Sequence, residues 1–113
     1  MNDLLYRYDG WNMSFDGFDI QLHLSKFRIL SHTPKGVWIL IEGGKLQNHK
    51  WIQNKKWVSN TSRKRFAYPT LKEALESLLY RKETQIAIIE RQLKIAKAVI
   101  QKIEELNEIQ RLT

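Results

Sequence analysis

The run Arg63-Lys64-Arg65-Phe66-Ala67-Tyr68-Pro69-Thr70 sets three cations against two rings just before a helix-start signal. Guanidinium and ammonium groups neutralise phosphates, and aromatic faces stack on bases. As a strand, the run shows Lys64, Phe66 and Tyr68 on one face and Arg63, Arg65 and Ala67 on the other. It leads into a helix N-terminus at Thr70, where unpaired amides and the positive end of the macrodipole favour an anion. Such a junction suits a nucleotide, with the base on Phe66 or a tryptophan and the phosphates on Arg63, Arg65 or Lys64. The competing arrangement has Phe66 and Tyr68 sealing a sheet against the helix, with the cations solvated. Arg81-Lys82 is a second basic pair further along the chain.

The wider charge pattern points the same way. Gln21 to Lys72 holds eleven Lys or Arg and one acid, Glu42, together with Phe27, Trp38, Trp51, Trp57, Phe66 and Tyr68. Net charge is about −3 over residues 1–20, about +10 over 21–72 and about 0 over 73–113. Trp38, Trp51 and Trp57 are therefore further candidate rings. A phosphate-bearing partner, either a nucleotide or a nucleic acid, is expected.

These residues need a scaffold. At 113 residues one domain is expected, spanning 1–113, with an antiparallel sheet over 1–68 and a helical segment over 70–113. In Phe18 to Leu24, apolar and polar residues alternate, and Phe27 to Leu30 either continues this strand or starts another. Thr33-Pro34-Lys35-Gly36 reads as a turn. Val37 to Ile41 reads as a central strand, and Gly43-Gly44 as the next turn. Trp51-Ile52 and Trp57-Val58 suggest a hairpin across Gln53 to Lys56. Arg63 to Tyr68 completes an antiparallel meander, giving an α+β fold.

Beyond Pro69 the pattern changes. Thr70-Leu71-Lys72-Glu73 is a capping box. From Leu71 to Thr113 there is no Gly and no Pro. Leu75, Leu79, Ile86, Ile89, Leu93, Ala96, Ile100 and Ile103 form a heptad seam, interrupted at Lys82. Ile88, Ile95, Val99, Leu106 and Ile109 form a second stripe. An unbroken helix of about forty residues is roughly 60 Å long. Either it breaks near Tyr80 to Thr84, or it continues to meet another subunit. Both options leave an apolar surface for a homodimer or higher oligomer. Lys82, on the seam, either snorkels or is matched by a partner or ligand.

Other chemistries find little support. With no Cys, the chain has no disulfide framework, Cys-ligated zinc or thiol nucleophile, which fits a reducing compartment. His23, His32 and His49 lack ligand-like spacing. No nucleophile elbow accompanies Ser14, Ser25, Ser59 or Ser62. Asp9, Asp16 and Asp19 cluster near the start without a visible catalytic geometry. Gly43-Gly44 is too short for a phosphate loop. An enzyme, a metal and a cofactor are not expected. Met1 to Gly10 is acidic and aromatic, unlike a signal peptide, and no apolar run approaches a membrane span. A soluble intracellular protein is expected.

Arg65-Phe66-Ala67-Tyr68-Pro69-Thr70, followed by Glu73-Ala74-Leu75-Glu76-Ser77 and Arg81-Lys82, resembles small phage and prophage proteins and the phage Thoeris anti-defence sponge family. The resemblance covers roughly Trp57 to Leu93. It implies an antiparallel sheet with C-terminal helices, assembly as dimers or larger oligomers, and action in the cytoplasm of the infected bacterial host. It also implies binding of cyclic ADP-ribose-type immune signals, sequestered without cleavage. Phe66 would contact the ligand. Glu76 stands where the family pattern has Asn, and an ionised carboxylate there repels phosphate and donates no hydrogen bond. The expected ligand-binding residues are thus Phe66, Arg63, Arg65, Glu76, Arg81 and Lys82. The alternative is a phage protein that binds nucleic acid or a ribonucleoprotein, such as an anti-CRISPR inhibitor. A third possibility is an assembly protein whose long helix is its working part.

Overall fold

The computed structural model describes residues 3–47 and 50–112, with backbone pairing alone over 42–47 and 50–53. Four strands, β1 (Leu4–Asn12), β2 (Ile20–Thr33), β3 (Gly36–Gln47) and β4 (Lys50–Ser59), precede one helix, α1 (Leu71–Leu112). The strands form a single antiparallel meander in the order β1-β2-β3-β4. The α+β architecture read from the sequence is the one observed. The chain packs as two compact units, Met1–Leu78 and Leu79–Thr113.

Register separates the sheet into two faces, because directly paired residues lie on the same side. Leu5 pairs with Phe27, Ile29 with Ile39, and Val37 with Val58. This inner face carries the core: Leu5, Val37, Ile39, Val58 and Ala67 are buried, and Phe27, Ile29, Ile41 and Phe66 pack around them. On the outer face, Tyr6 pairs with Lys26, Leu4 with Arg28, Trp38 with Trp57, and Leu40 with Lys55.

The expected turn at Thr33 to Gly36 joins β2 to β3. Thr33 Oγ1 donates to the Gly36 carbonyl at 2.8 Å and accepts the Gly36 N–H at 3.1 Å. Between β1 and β2 the Asn12 side chain braces the link. Its Oδ1 accepts the N–H groups of Ser14 and Asp19, and its Nδ2 donates to the Gly17 carbonyl. Phe15 and Phe18 in this link are almost fully exposed.

Several local expectations are corrected. The sequence pattern does not mark β1 as a strand, whereas Phe27 to Leu30 continues the strand before it, as one of the two expected options has it, with a register shift between Ile29 and Ser31. Gly43-Gly44 falls inside β3, at a register shift between Ile41 and Lys45, so it is a bulge rather than a turn. Trp51 and Trp57 lie on the same strand, not across a hairpin. Gln53 to Lys56 stays extended because Asn54, Lys55 and Lys56 pair with Ile41, Leu40 and Ile39. Arg63 to Tyr68 is not a strand, as only Tyr68 bridges to Tyr6. Of the two options for the helical segment, the unbroken helix is the one observed, since α1 is continuous over 42 residues.

Ala74 and Leu78, one turn apart, are the buried residues of α1. Among the described residues no helix is long and apolar enough to cross a membrane.

Candidate phosphate site at Phe66

Ser59 to Tyr68 owes its shape to side chains that compete for its backbone. Ser59 Oγ accepts the N–H groups of Thr61 and Ser62, and Ser62 Oγ donates to the Lys64 carbonyl. Such local bonds replace a strand ladder. Arg65 folds back, donating from Nε to the Ser62 carbonyl at 2.9 Å, with its guanidinium over the Tyr68 ring at 5.7 Å. The Tyr68 hydroxyl donates to the Arg63 carbonyl at 3.4 Å. The segment is then fastened to the β1 edge by two backbone hydrogen bonds between Tyr6 and Tyr68.

This anchoring carries Phe66 onto the inner face. Its ring tilts against Phe27, centroid to centroid 5.2 Å. Two cations approach the same ring: the Arg7 guanidinium at 4.8 Å and the Lys56 ammonium at 4.3 Å. Arg7 comes from β1 and Lys56 from β4, the two edge strands of the sheet. Arg7 is fixed twice more, donating from Nη1 to the Phe66 carbonyl at 2.9 Å and from Nε to Asp9 Oδ2 at 3.2 Å. Its side chain is about three-quarters covered, as is that of Asp9. Lys56 is exposed. Two positive charges thus share one aromatic support, and the Asp9 carboxylate offsets Arg7. Cation–π attraction, about 0.5–1 kcal/mol at exposed sites and more when desolvated, holds each charge over the ring.

The sequence candidates divide accordingly. Phe66 is central, but half-buried, with a cation over its ring from each edge strand, rather than an open stacking face. Arg65 is half-buried against Tyr68, away from the Phe66 ring contacts. Arg63 and Lys64 are exposed. Glu76 is an exposed helix residue of the first unit. Arg81 and Lys82 belong to the second unit, where Lys82 Nζ donates to Gln85 Oε1 at 3.1 Å. The helix N-terminus, where an anion was expected, carries an acid of its own in the first turn, Glu73. Thr70 Oγ1 accepts the Glu73 N–H at 3.1 Å and donates to the Glu73 carboxylate at 2.9 Å, so the helix supplies its own anion. The capping box is therefore made from one side only. Trp51 and His49 lie outside the described side chains.

Arg7 and Lys56 were not among the sequence candidates. Arg7 is the only cation in the acidic first twenty residues, and Lys56 sits in what reads as a turn. His23 stacks on Trp11 at 4.6 Å, and among the described residues no group of three or more His, Asp or Glu is placed to hold a metal. Comparison with protein-family models, curated proteins and solved structures finds no match.

Proposed function

We propose that this chain is a non-catalytic binding protein for a small phosphate-bearing nucleotide, whose phosphate bridges Arg7 and Lys56 above Phe66. The observation that supports this reading is the meeting of one cation from each edge strand on a single ring. A phosphate between a guanidinium and an ammonium gains charge-assisted hydrogen bonds from both. Arg7 is already held by the Phe66 carbonyl and Asp9, so little ordering is needed on binding. The finer reading is a phage counter-defence sponge that sequesters cyclic ADP-ribose-type signals, working as a homodimer or higher oligomer in the infected cell. It rests on the resemblance of Arg65 to Thr70 and Glu73 to Lys82. A sponge acts stoichiometrically, so affinity and abundance set its effect.

The test is calorimetric titration of the full chain with a panel of cyclic and linear ADP-ribose nucleotides, followed by heat release and analysis of the recovered ligand. Binding of at least one member, with the ligand returned intact, is expected. Lys56→Glu and Phe66→Ala should each weaken it at least tenfold, about 1.4 kcal/mol. A folded wild-type chain that binds none of them, or a folded Lys56→Glu variant with unchanged Kd, overturns the assignment.

A further inference from the structure

The outer face of the sheet carries a second arrangement of rings and cations, independent of Phe66. Trp57 packs closely against Gly36. A Cβ built on that buried glycine would come within 2.6 Å of the indole atom Cε2, so only glycine lets the ring settle there. The indole N–H donates to Thr33 Oγ1 at 3.2 Å, which fixes the ring in its plane. The residue nevertheless remains 39% exposed. A ring seated on backbone, tethered at its nitrogen and still open to solvent is a pre-organised stacking surface.

Trp57 does not stand alone. It pairs directly with Trp38 on β3. Lys55, two residues before Trp57 and on the same face, holds its ammonium 5.3 Å from the Trp38 ring centroid. Lys55 pairs with Leu40, and the Ile29–Ile39 pairing sets Arg28 at the level of Leu40. Both cations are exposed. A row of two rings therefore lies one side-chain repeat, roughly 7 Å, from a row of two cations. No described side chain on this face of β2, β3 or β4 is acidic.

We propose that this outer face binds single-stranded nucleic acid, with bases on Trp57 and Trp38 and phosphates along Arg28 and Lys55. One nucleotide uses one ring and one cation. Lys55 on β4 and Arg28 on β2 flank Leu40 of β3, two strand spacings or roughly 10 Å apart, with Trp57 and Trp38 one repeat along the strands. Stacking is tolerant of sequence, and an open sheet face admits unpaired bases where a duplex hides them.

The experiment titrates the full chain with short oligothymidylate, oligouridylate and a duplex of equal length, following tryptophan fluorescence at several salt concentrations. Single strands should quench the fluorescence and bind more tightly than duplex. Trp57→Ala should weaken binding about tenfold, while Trp57→Phe should retain most of it. Lys55→Glu, a surface change that leaves the Trp57 seat intact, should also weaken binding. Lys55→Ala should reduce the salt slope by about 0.7. Nucleotide binding at Phe66 should survive Lys55→Glu, and single-strand binding should survive Lys56→Glu, so each proposal fails separately. Absence of single-strand binding at low salt, equal affinity for duplex, or an unchanged affinity in folded Lys55→Glu protein overturns the assignment.

Discussion

Ile39 and Ile100 are the same residue in opposite circumstances. Ile39, in the middle of β3, has no accessible surface, whereas Ile100, in the second half of α1, keeps 55% of its own. The difference extends to their neighbourhoods. The sheet unit closes a core around Leu5, Val37, Val58 and Ala67, with Phe27, Ile29, Ile41 and Phe66 packed against it. In the helical unit Ile86, Ile88, Ile89, Leu93, Ile95, Val99, Ile103 and Leu106 are each about half exposed. One region is stabilised by burial within itself. The other rests on backbone hydrogen bonds, the absence of Gly and Pro, and local pairs such as Lys102 with Glu105 at 3.5 Å. In proteins most helical stability comes from packing an amphipathic face rather than from such local terms. The apolar stripe of α1 is therefore where burial would add most to stability.

The contrast breaks most directly at these two positions. Ile39→Ala should destabilise the chain by about 2–5 kcal/mol, the range for emptying a well-packed core site. Urea unfolding followed by tryptophan fluorescence reads this loss. Ile100→Ala, in protein dilute enough to be monomeric, should cost less than about 1 kcal/mol, since little burial is lost. In concentrated protein, Ile100→Glu should abolish any concentration dependence of helix melting that the wild type shows. Equal losses for Ile39→Ala and Ile100→Ala in dilute protein would erase the distinction between the two regions.

Gly36→Ala is the next largest change. The added Cβ meets the Val58 carbonyl oxygen, a backbone atom, and the Trp57 ring. A destabilisation of about 1–3 kcal/mol is expected from this overpacking. The Trp57 fluorescence should shift as the indole leaves its seat, while helix content by circular dichroism stays constant. An unshifted emission spectrum would show that the ring does not depend on this glycine.

How much of this was legible depended on whether the determining contact was local. The Thr33 to Gly36 turn, the Val37 to Ile41 strand and the Thr70 cap are set by neighbouring residues, and each was readable. β1 was not, because Arg7 and Asp9 occupy its inner face and break the apolar alternation that marks a strand. Gln53 to Lys56 is polar and reads as a turn, but it is held extended by pairing with β3. Arg63 to Tyr68 has strand-like alternation and yet lacks a ladder, its backbone being satisfied by serine, arginine and tyrosine side chains. The site followed the same rule. Phe66 could be singled out from the cations beside it in sequence. Its actual partners, Arg7 and Lys56, arrive through sheet register, which no local pattern encodes.

A smaller effect than that of Gly36→Ala probes the boundary between the two regions. Thr70 caps α1 through its bonds to the Glu73 amide and carboxylate, and its carbonyl accepts the Ala74 N–H at 3.1 Å. Thr70→Ala removes the hydroxyl and should cost about 1 kcal/mol, with Thr70→Ser restoring most of it. The capped turn belongs to the sheet unit, which ends at Leu78. Hydrogen exchange should therefore quicken at Glu73 and Ala74 and remain unchanged beyond Leu79, because opening of the first turn need not propagate beyond the unit that holds it. Faster exchange along the whole of α1 would mean that helix and sheet open as one cooperative unit. The half-exposed isoleucines would then share in the sheet's stability despite their exposure.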